Sequence, residues 1–488
     1  MVVYVGFALG ALTNLVLAGK FDPDQYGLMN GMFVAVGTIM YAFANLGATS
    51  CIGKFYPYYK SHLPHRKNDL MTWALLAGLV GFVLVTVVGV LFRGPIVAYY
   101  SAKSPAMGKY YYWIFLFGFG ITLFSLLEAY GWQVRRSILT NYLREVQFRM
   151  NTIILILLYL TGVLGGFDLF IKLFAFNYLA ISLIMIVVLV RAGELHLVPR
   201  PSIVTRKFFS KIRTLALLQW SGSMVYTVAF FFAPIAIAGV VPGGLTAVGV
   251  FSFAQMIGSL IQAPQRGIAA AAIGPLSQAW KEKDYGRINR IYQRSSINQM
   301  IFAVGMFVLI WINYTDGILI FHIKPEFLDG KTIFFFIGMA RLVDMGTGVN
   351  QQVIVTSTFW RFDCWTGMIL VALTLPLNYI MAKEIGALGP AVADLATFAI
   401  YNAIRWAYLY RRFQMQPFTF QTLYAVLLGG AGYLVCIGLF GRFHGLMWVF
   451  ARTGVLALIY LSGVLLLRLS PDVLPVWQTV KKRLGMGR

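Results

Sequence analysis

The stretch "IQAPQRGIAAAAIGPLSQAW", Ile261 to Trp280, places Arg266 among small and apolar residues, with Gln262, Gln265 and Pro264 beside it. "GMARLVDMGTGVNQQ" follows at residues 338–352 and holds Arg341, Asp344, Asn350, Gln351 and Gln352. Arg341 and Asp344 are three residues apart, a spacing that puts them on one helix face within pairing reach. Asn378, Asp394, Tyr401 and Arg405 stand in the apolar runs that come next. A guanidinium forms charge-assisted, often two-pronged, hydrogen bonds with phosphate oxygens. Amides and hydroxyls bind sugar hydroxyls. Arg266, Arg341 and Arg405 are therefore candidates for a cationic substrate site. Gln262, Gln265, Asp344, Asn350, Gln351, Gln352, Asn378, Asp394 and Tyr401 are candidates for its polar lining.

The elements carrying these residues are apolar. The 488-residue chain is 59% hydrophobic and 12% charged, against roughly 25% charged in soluble domains. "MTWALLAGLVGFVLVTVVGVLF", Met71 to Phe92, contains no charge. Runs of this length match the ~20 residues that cross a ~30 Å hydrocarbon layer as a helix, which satisfies its own backbone there. Fourteen spans are expected, at approximately 2–20, 29–50, 71–92, 112–130, 150–165, 171–190, 214–240, 246–275, 298–314, 332–356, 364–382, 388–410, 419–440 and 447–468. The expected fold is an all-α polytopic membrane protein. The first run lacks a basic leader and a small-residue cleavage site, so no cleaved signal is expected, and an upstream start is left open.

Alternate loops assigned to one side hold about 27 of the 40 basic residues, and the opposite loops about eight. Positive charge stays on the cytoplasmic side, which puts both termini in the cytoplasm. The net charge of +23 reads as this topological signal plus attraction to anionic membrane lipids. No compact basic domain or recognition motif argues for nucleic acid.

At this depth Arg266 is about ten residues, roughly 15 Å, from the cytoplasmic end of its span. A long side chain covers only part of that distance. A mid-helix charge costs about 2.5–3.5 kcal/mol on insertion scales, and such residues usually face a bundle interior or a wet cavity. Pro264 weakens the helix just before it and frees a carbonyl. Arg452 and Lys172, near span ends, read as interfacial anchors.

"YGLMNGMFVAVGTIMYAFANLGATSCIGKFYPYYK" from Tyr26 and "VGVFSFAQMIGSLIQAPQRGIAAAAIGPLSQAWKE" from Val248 form a weak internal repeat. Each has a glycine near its start, Gly27 or Gly249, then an apolar helix with small residues in its second half, then Pro57 or Pro275, then a basic loop. Six intervening spans give both copies the same orientation, which implies two parallel six-helix lobes. The expected division is 1–213 and 214–417, with 418–488 holding an appended helix pair and a basic tail.

These same segments, with "EIGALGPAVADLATFAIYNAIRWAYLYRRF" at 384–413, resemble bacterial polysaccharide exporters of the multidrug/oligosaccharidyl-lipid/polysaccharide superfamily. The resemblance implies two six-helix bundles facing a central cavity. It also implies alternating-access flipping of undecaprenyl-pyrophosphate-linked oligosaccharide across the bacterial inner membrane, for O-antigen, capsule or exopolysaccharide. The partners it implies are the lipid-linked substrate and a polysaccharide polymerase machinery. A multidrug exporter and a lipid II flippase of the same superfamily are the alternatives. A drug exporter would favour buried carboxylates over the arginines found here.

Enzyme activity is not expected. No GxxxxGK[ST] loop is present. The five histidines and three cysteines show no metal-ligand spacing, and no long outer loop could house a polymerase or ligase site. No cofactor is expected; coupling to protons, sodium or the membrane potential would supply the energy.

Overall fold

The computed structural model describes residues 2–359, 361–472 and 475. Those residues fall into two compact units, Met1–Gly249 and Val250–Arg488.

The first unit runs through α1 (Val2–Lys20), α2 (Pro23–Tyr26), a π-helical stretch Gly27–Phe33, α3 (Val34–Ala44) and α4 (Ala48–His62). It continues with α5 (Leu70–Leu91), α6 (Arg93–Ser101), α7 (Ala106–Lys109), α8 (Tyr111–Gln133) and α9 (Ser137–Tyr142). A second π-helical stretch, Leu143–Gln147, leads into α10 (Phe148–Leu160), α11 (Phe167–Ala175), α12 (Asn177–Arg191) and α13 (Ile203–Val240). The next helix, α14 (Gly244–Ser259), crosses the unit border. The second unit then holds α15 (Gln265–Glu282), α16 (Tyr285–Ile320), α17 (Gly330–Gly346), α18 (Asn350–Val355), α19 (Arg361–Ile385), α20 (Leu388–Phe413), α21 (Phe420–Phe440) and α22 (Leu446–Leu466).

Among the described residues, ten helices are long and apolar enough to cross a membrane. The other expected spans fall on α1, on α10, on α17 with α18, and on α20. α17 stops after 17 residues, and α20 carries Asp394, Arg405, Arg411 and Arg412. The outer surface is that of a protein solvated by lipid. On α5, Leu76, Leu79, Val80, Val83, Leu84, Val87, Val88 and Leu91 are exposed, while Ala74, Gly78, Gly81 and Phe82 are buried. Apolar bulk faces outward and small residues face the neighbouring helices, because helix association in lipid depends on close packing rather than on escape from water. The chain is a multi-pass membrane protein.

The contact-defined border lies at Gly249, not at 213/214, because α13 packs on α3 and α4. The Trp220 indole donates to the Ala42 and Phe43 carbonyls at 3.0 Å. Near the other end of α13, Tyr100 donates to the Ile235 carbonyl and Ser104 to that of Ala238. α21 and α22 pack on α16 within the second unit.

Both copies of the repeat contain a helix break at corresponding points. In the first, α3 ends at Ala44 and the chain turns through Leu46 (φ 45°) and Gly47 (φ 75°) before α4. A side chain at Gly47 would collide with the Ala216 carbonyl, and its left-handed conformation favours glycine. In the second, α14 ends at Ser259, a 3₁₀ turn covers Leu260–Gln262, and Pro264 precedes α15. Pro57 and Pro275 then lie inside α4 and α15.

Candidate functional site

The second break builds a polar cluster. Asp344, near the end of α17, accepts from Gln265 Nε2 at 2.7 Å and Gln262 Nε2 at 3.3 Å on its Oδ2. Its Oδ1 accepts from Asn402 Nδ2 of α20 at 3.3 Å. Asn402 Oδ1 in turn accepts from Thr347 Oγ1 and Asn350 Nδ2, each at 2.8 Å. Gln262, Gln265, Asp344 and Asn350 are thus brought together. Three of the donors are where they are because a helix stops there: the amides of Gln262 and Gln265 flank the Pro264 turn, and Asn350 opens α18 after α17 ends; Asn402 comes from within α20. Sequence reading passed over Asn402, three residues before Arg405 on α20, and Thr347, three residues after Asp344; in each case the signal was a polar residue at helical spacing from a charged one.

Arg266 stands in the first turn of α15, next to this cluster, and is exposed. Among the described residues no carboxylate lies within ion-pair distance of it. The exposed face of α15 continues as Gly267, Ala270, Ala271, Ile273, Gly274, Pro275, Ser277 and Gln278. Only Ile273 resembles the leucines and valines that α5 turns to lipid. A face of arginine, glycine, alanine, serine and glutamine is suited to water.

The other two arginines have different surroundings. Arg341 is buried, and its guanidinium lies 5.4 Å from the centre of the Phe398 ring. It makes no ion pair with Asp344, which the three amides hold instead; its charge acts on the half-buried Asp394 of α20. Arg405 is 2% exposed and forms an ion pair with Asp363, donates to Thr366 Oγ1 at 3.2 Å, and stacks 3.9 Å over the Tyr401 ring. Asn378 is buried, Gln351 exposed and Gln352 half-buried. Arg341 with Asp394, and Arg405 with Asp363, Thr366 and Tyr401, are groupings separate from the Asp344 hydrogen-bond cluster.

Two residues read as interfacial anchors are engaged within the protein. Arg452 is buried in α22, paired with Asp316 at 2.6 Å and donating to the Ile312 and Phe443 carbonyls. The anchor reading failed because α16 extends to Ile320, which draws Asp316 from the expected loop into the bundle. Lys172 pairs with Asp168 one turn earlier on α11, at 2.5 Å.

The first unit has its own charged pairs, which sequence reading missed. Glu128 of α8 is buried and accepts from Arg144 at 2.7 Å. Glu145 pairs with Arg149 at 2.5 Å, where the Leu143–Gln147 stretch meets α10. Tyr26 donates to Asn14 of α1 at 2.8 Å. Their signal was diluted because Arg144 and Arg149 were counted as loop charges.

No family model matches the sequence, and no curated protein matches it. Solved structures do match. The structure is similar to the lipid II flippase MurJ in an inward closed conformation, with a TM-score of 0.75 and 12% identity, over 96% of this chain and 98% of that one. It is similar to an inward-facing multidrug resistance MATE family transporter of the MOP superfamily, with a TM-score of 0.63, 14% identity, and coverage of 84% and 94%. An outward-facing MATE transporter gives a TM-score of 0.51 at 16% identity, over 85% and 94%. The chain shares its all-helical fold with the MurJ flippase and with these MATE transporters.

Proposed function

We propose that this chain flips an undecaprenyl-pyrophosphate-linked oligosaccharide across the bacterial inner membrane by alternating access, supplying O-antigen, capsule or exopolysaccharide synthesis. The observation carrying this reading is Arg266: an exposed cation with no carboxylate partner among the described residues, in the first turn of a helix that begins deep within an expected span. Its cost of about 2.5–3.5 kcal/mol makes sense where an anion passes. A pyrophosphate is such an anion, and arginine is the side chain best shaped to hold it. The α15 N-terminus adds free amide hydrogens and a positive dipole end at the same place. Gln262, Gln265, Asn350 and Asn402 supply amides for sugar hydroxyls, and the tail stays in the bilayer. Both termini are cytoplasmic in this reading. An ion gradient or the membrane potential drives the cycle, and polymerase machinery takes the product.

A lipid II flippase is the second reading. The likeness to MurJ spans 96% of the chain, whereas the likenesses to multidrug exporters span 84–85%. That difference favours a lipid-linked precursor over a drug.

Complementation separates the readings. The gene is expressed in one strain lacking its O-antigen flippase and in another depleted of its lipid II flippase. Restored O-antigen supports the first reading; restored growth of the second strain alone replaces it with the second. Arg266→Ala should remove whichever activity is seen while leaving insertion intact.

A further inference from the structure

A recess of about 870 Å³ lies at the basic end of the second unit, lined by the end of α15, residues 356–359 and the end of α20. Three exposed cations line it: Lys281, Lys283 and Arg412. No carboxylate does, and among the described residues none of the three has an ion-pair partner. This is unlike their neighbours on α16, since Arg287 pairs with Glu282 and Arg294 with Asp472.

The rest of the lining has two characters. Ser277, Thr356, Ser357 and Thr358 bring hydroxyls. Trp280, Tyr285, Phe359 and Phe413 form an aromatic floor, with Trp280 and Phe413 centred 5.1 Å apart and Phe359 and Phe413 5.8 Å apart. Arg412 lies 3.9 Å over the Phe359 ring, which orients its guanidinium. Trp280 is itself fixed by donating to the Val353 carbonyl at 3.0 Å.

Uncompensated cations over hydroxyls and aromatic rings suit a phosphate joined to an apolar body. Aromatic side chains of this kind sit at headgroup level in membranes, and anionic lipids concentrate on the basic face of a membrane protein. We propose that this recess binds the phosphate headgroup of an anionic phospholipid, held by Lys281, Lys283 and Arg412 with the glycerol and upper chains against Trp280 and Phe359. The site is separate from Arg266 and does not rest on the transported substrate.

The test is native mass spectrometry of the full chain in detergent, titrated with phosphatidylglycerol or with phosphatidylcholine. The wild type should bind phosphatidylglycerol preferentially. The triple variant K281Q/K283Q/R412Q should bind it at least about tenfold more weakly, with an unchanged elution profile. The charge-matched control K207Q/K211Q/R213Q, altered on exposed positions of α13, should retain the preference. Equal binding by the triple variant and the wild type would overturn the proposal. Displacement of the lipid by inorganic phosphate at equal concentration would assign the recess to free phosphate and overturn the lipid reading.

Discussion

At the scale of single residues, the arginines divide by whether a carboxylate answers them. Arg452 is buried against Asp316, whose carboxylate also accepts from the Gly445 backbone at 2.9 Å. Removing one partner of a buried pair leaves a lone charge in a poor solvent, at a cost of about 3–5 kcal/mol. Arg452→Ala should lower the thermal unfolding midpoint in detergent strongly, and the double variant R452M/D316L should recover most of the loss. Arg405 is held by Asp363 and Tyr401 in the same manner. For Arg405→Gln, the expected outcome is lower stability with the transport of surviving protein retained, read by normalising transport to folded protein. Arg266 should behave oppositely, because no carboxylate among the described residues pairs with it. Arg266→Ala should melt like the wild type and fail in transport.

At the scale of elements, the repeat sets where helices can approach. The Gly27 and Gly249 Cα positions face each other, and a Cβ on Gly27 would stand 2.0 Å from the Leu245 carbonyl oxygen. Backbone must move to admit even a methyl group. Gly27→Ala should therefore cost about 1–3 kcal/mol, seen as a lower melting midpoint; an unchanged midpoint would mean the contact is not kept. At the chain's other end, the Arg294 ion pair, with Asn298 donating at 2.7 Å, holds the Asp472 carboxyl below the usual carboxylate range. A depressed carboxyl stabilises fully above its unfolded pKa and loses that contribution as pH falls through its folded value. Asp472→Asn should remove the corresponding acid sensitivity of melting, while melting at neutral pH falls slightly. The apolar helical character, the break at Pro264 and the two glycines were visible in the sequence because periodicity, proline and small residues act locally; the Leu46–Gly47 break was not, since it falls inside a span expected to run unbroken from 29 to 50. The pairings were not. Asp316 and Asp363 fell just outside the expected limits of their spans, so Arg452 and Arg405 were read without the partners that neutralise them. Four of the nine polar candidates met at Asp344 because a helix break leaves amides pointing at one place, which the Pro264 segment already suggested.

At the scale of the whole molecule, charge distribution and fold point to the same class of protein. In the expected fourteen-span topology basic residues concentrate on alternate loops, and exposed leucines and valines cover helices such as α5. If the basic loops are cytoplasmic, single cysteines placed at residues 283 and 411 should be shielded from a membrane-impermeant maleimide in intact cells, while cysteines at 103 and 442 should react. The background for that experiment replaces Cys364, which is exposed; Cys51 and Cys436 are buried. The reverse labelling pattern would invert the topology and, with it, the direction of transport. The most direct test of the central claim is a reconstituted flipping assay. Purified protein in proteoliposomes receives a fluorescent polyprenyl-pyrophosphate oligosaccharide, and its arrival in the opposite leaflet is followed for wild type, Arg266→Lys and Arg266→Ala. The account predicts rapid flipping by the wild type, partial flipping by the lysine variant and none above protein-free vesicles by the alanine variant. Wild-type rates for the alanine variant would contradict it.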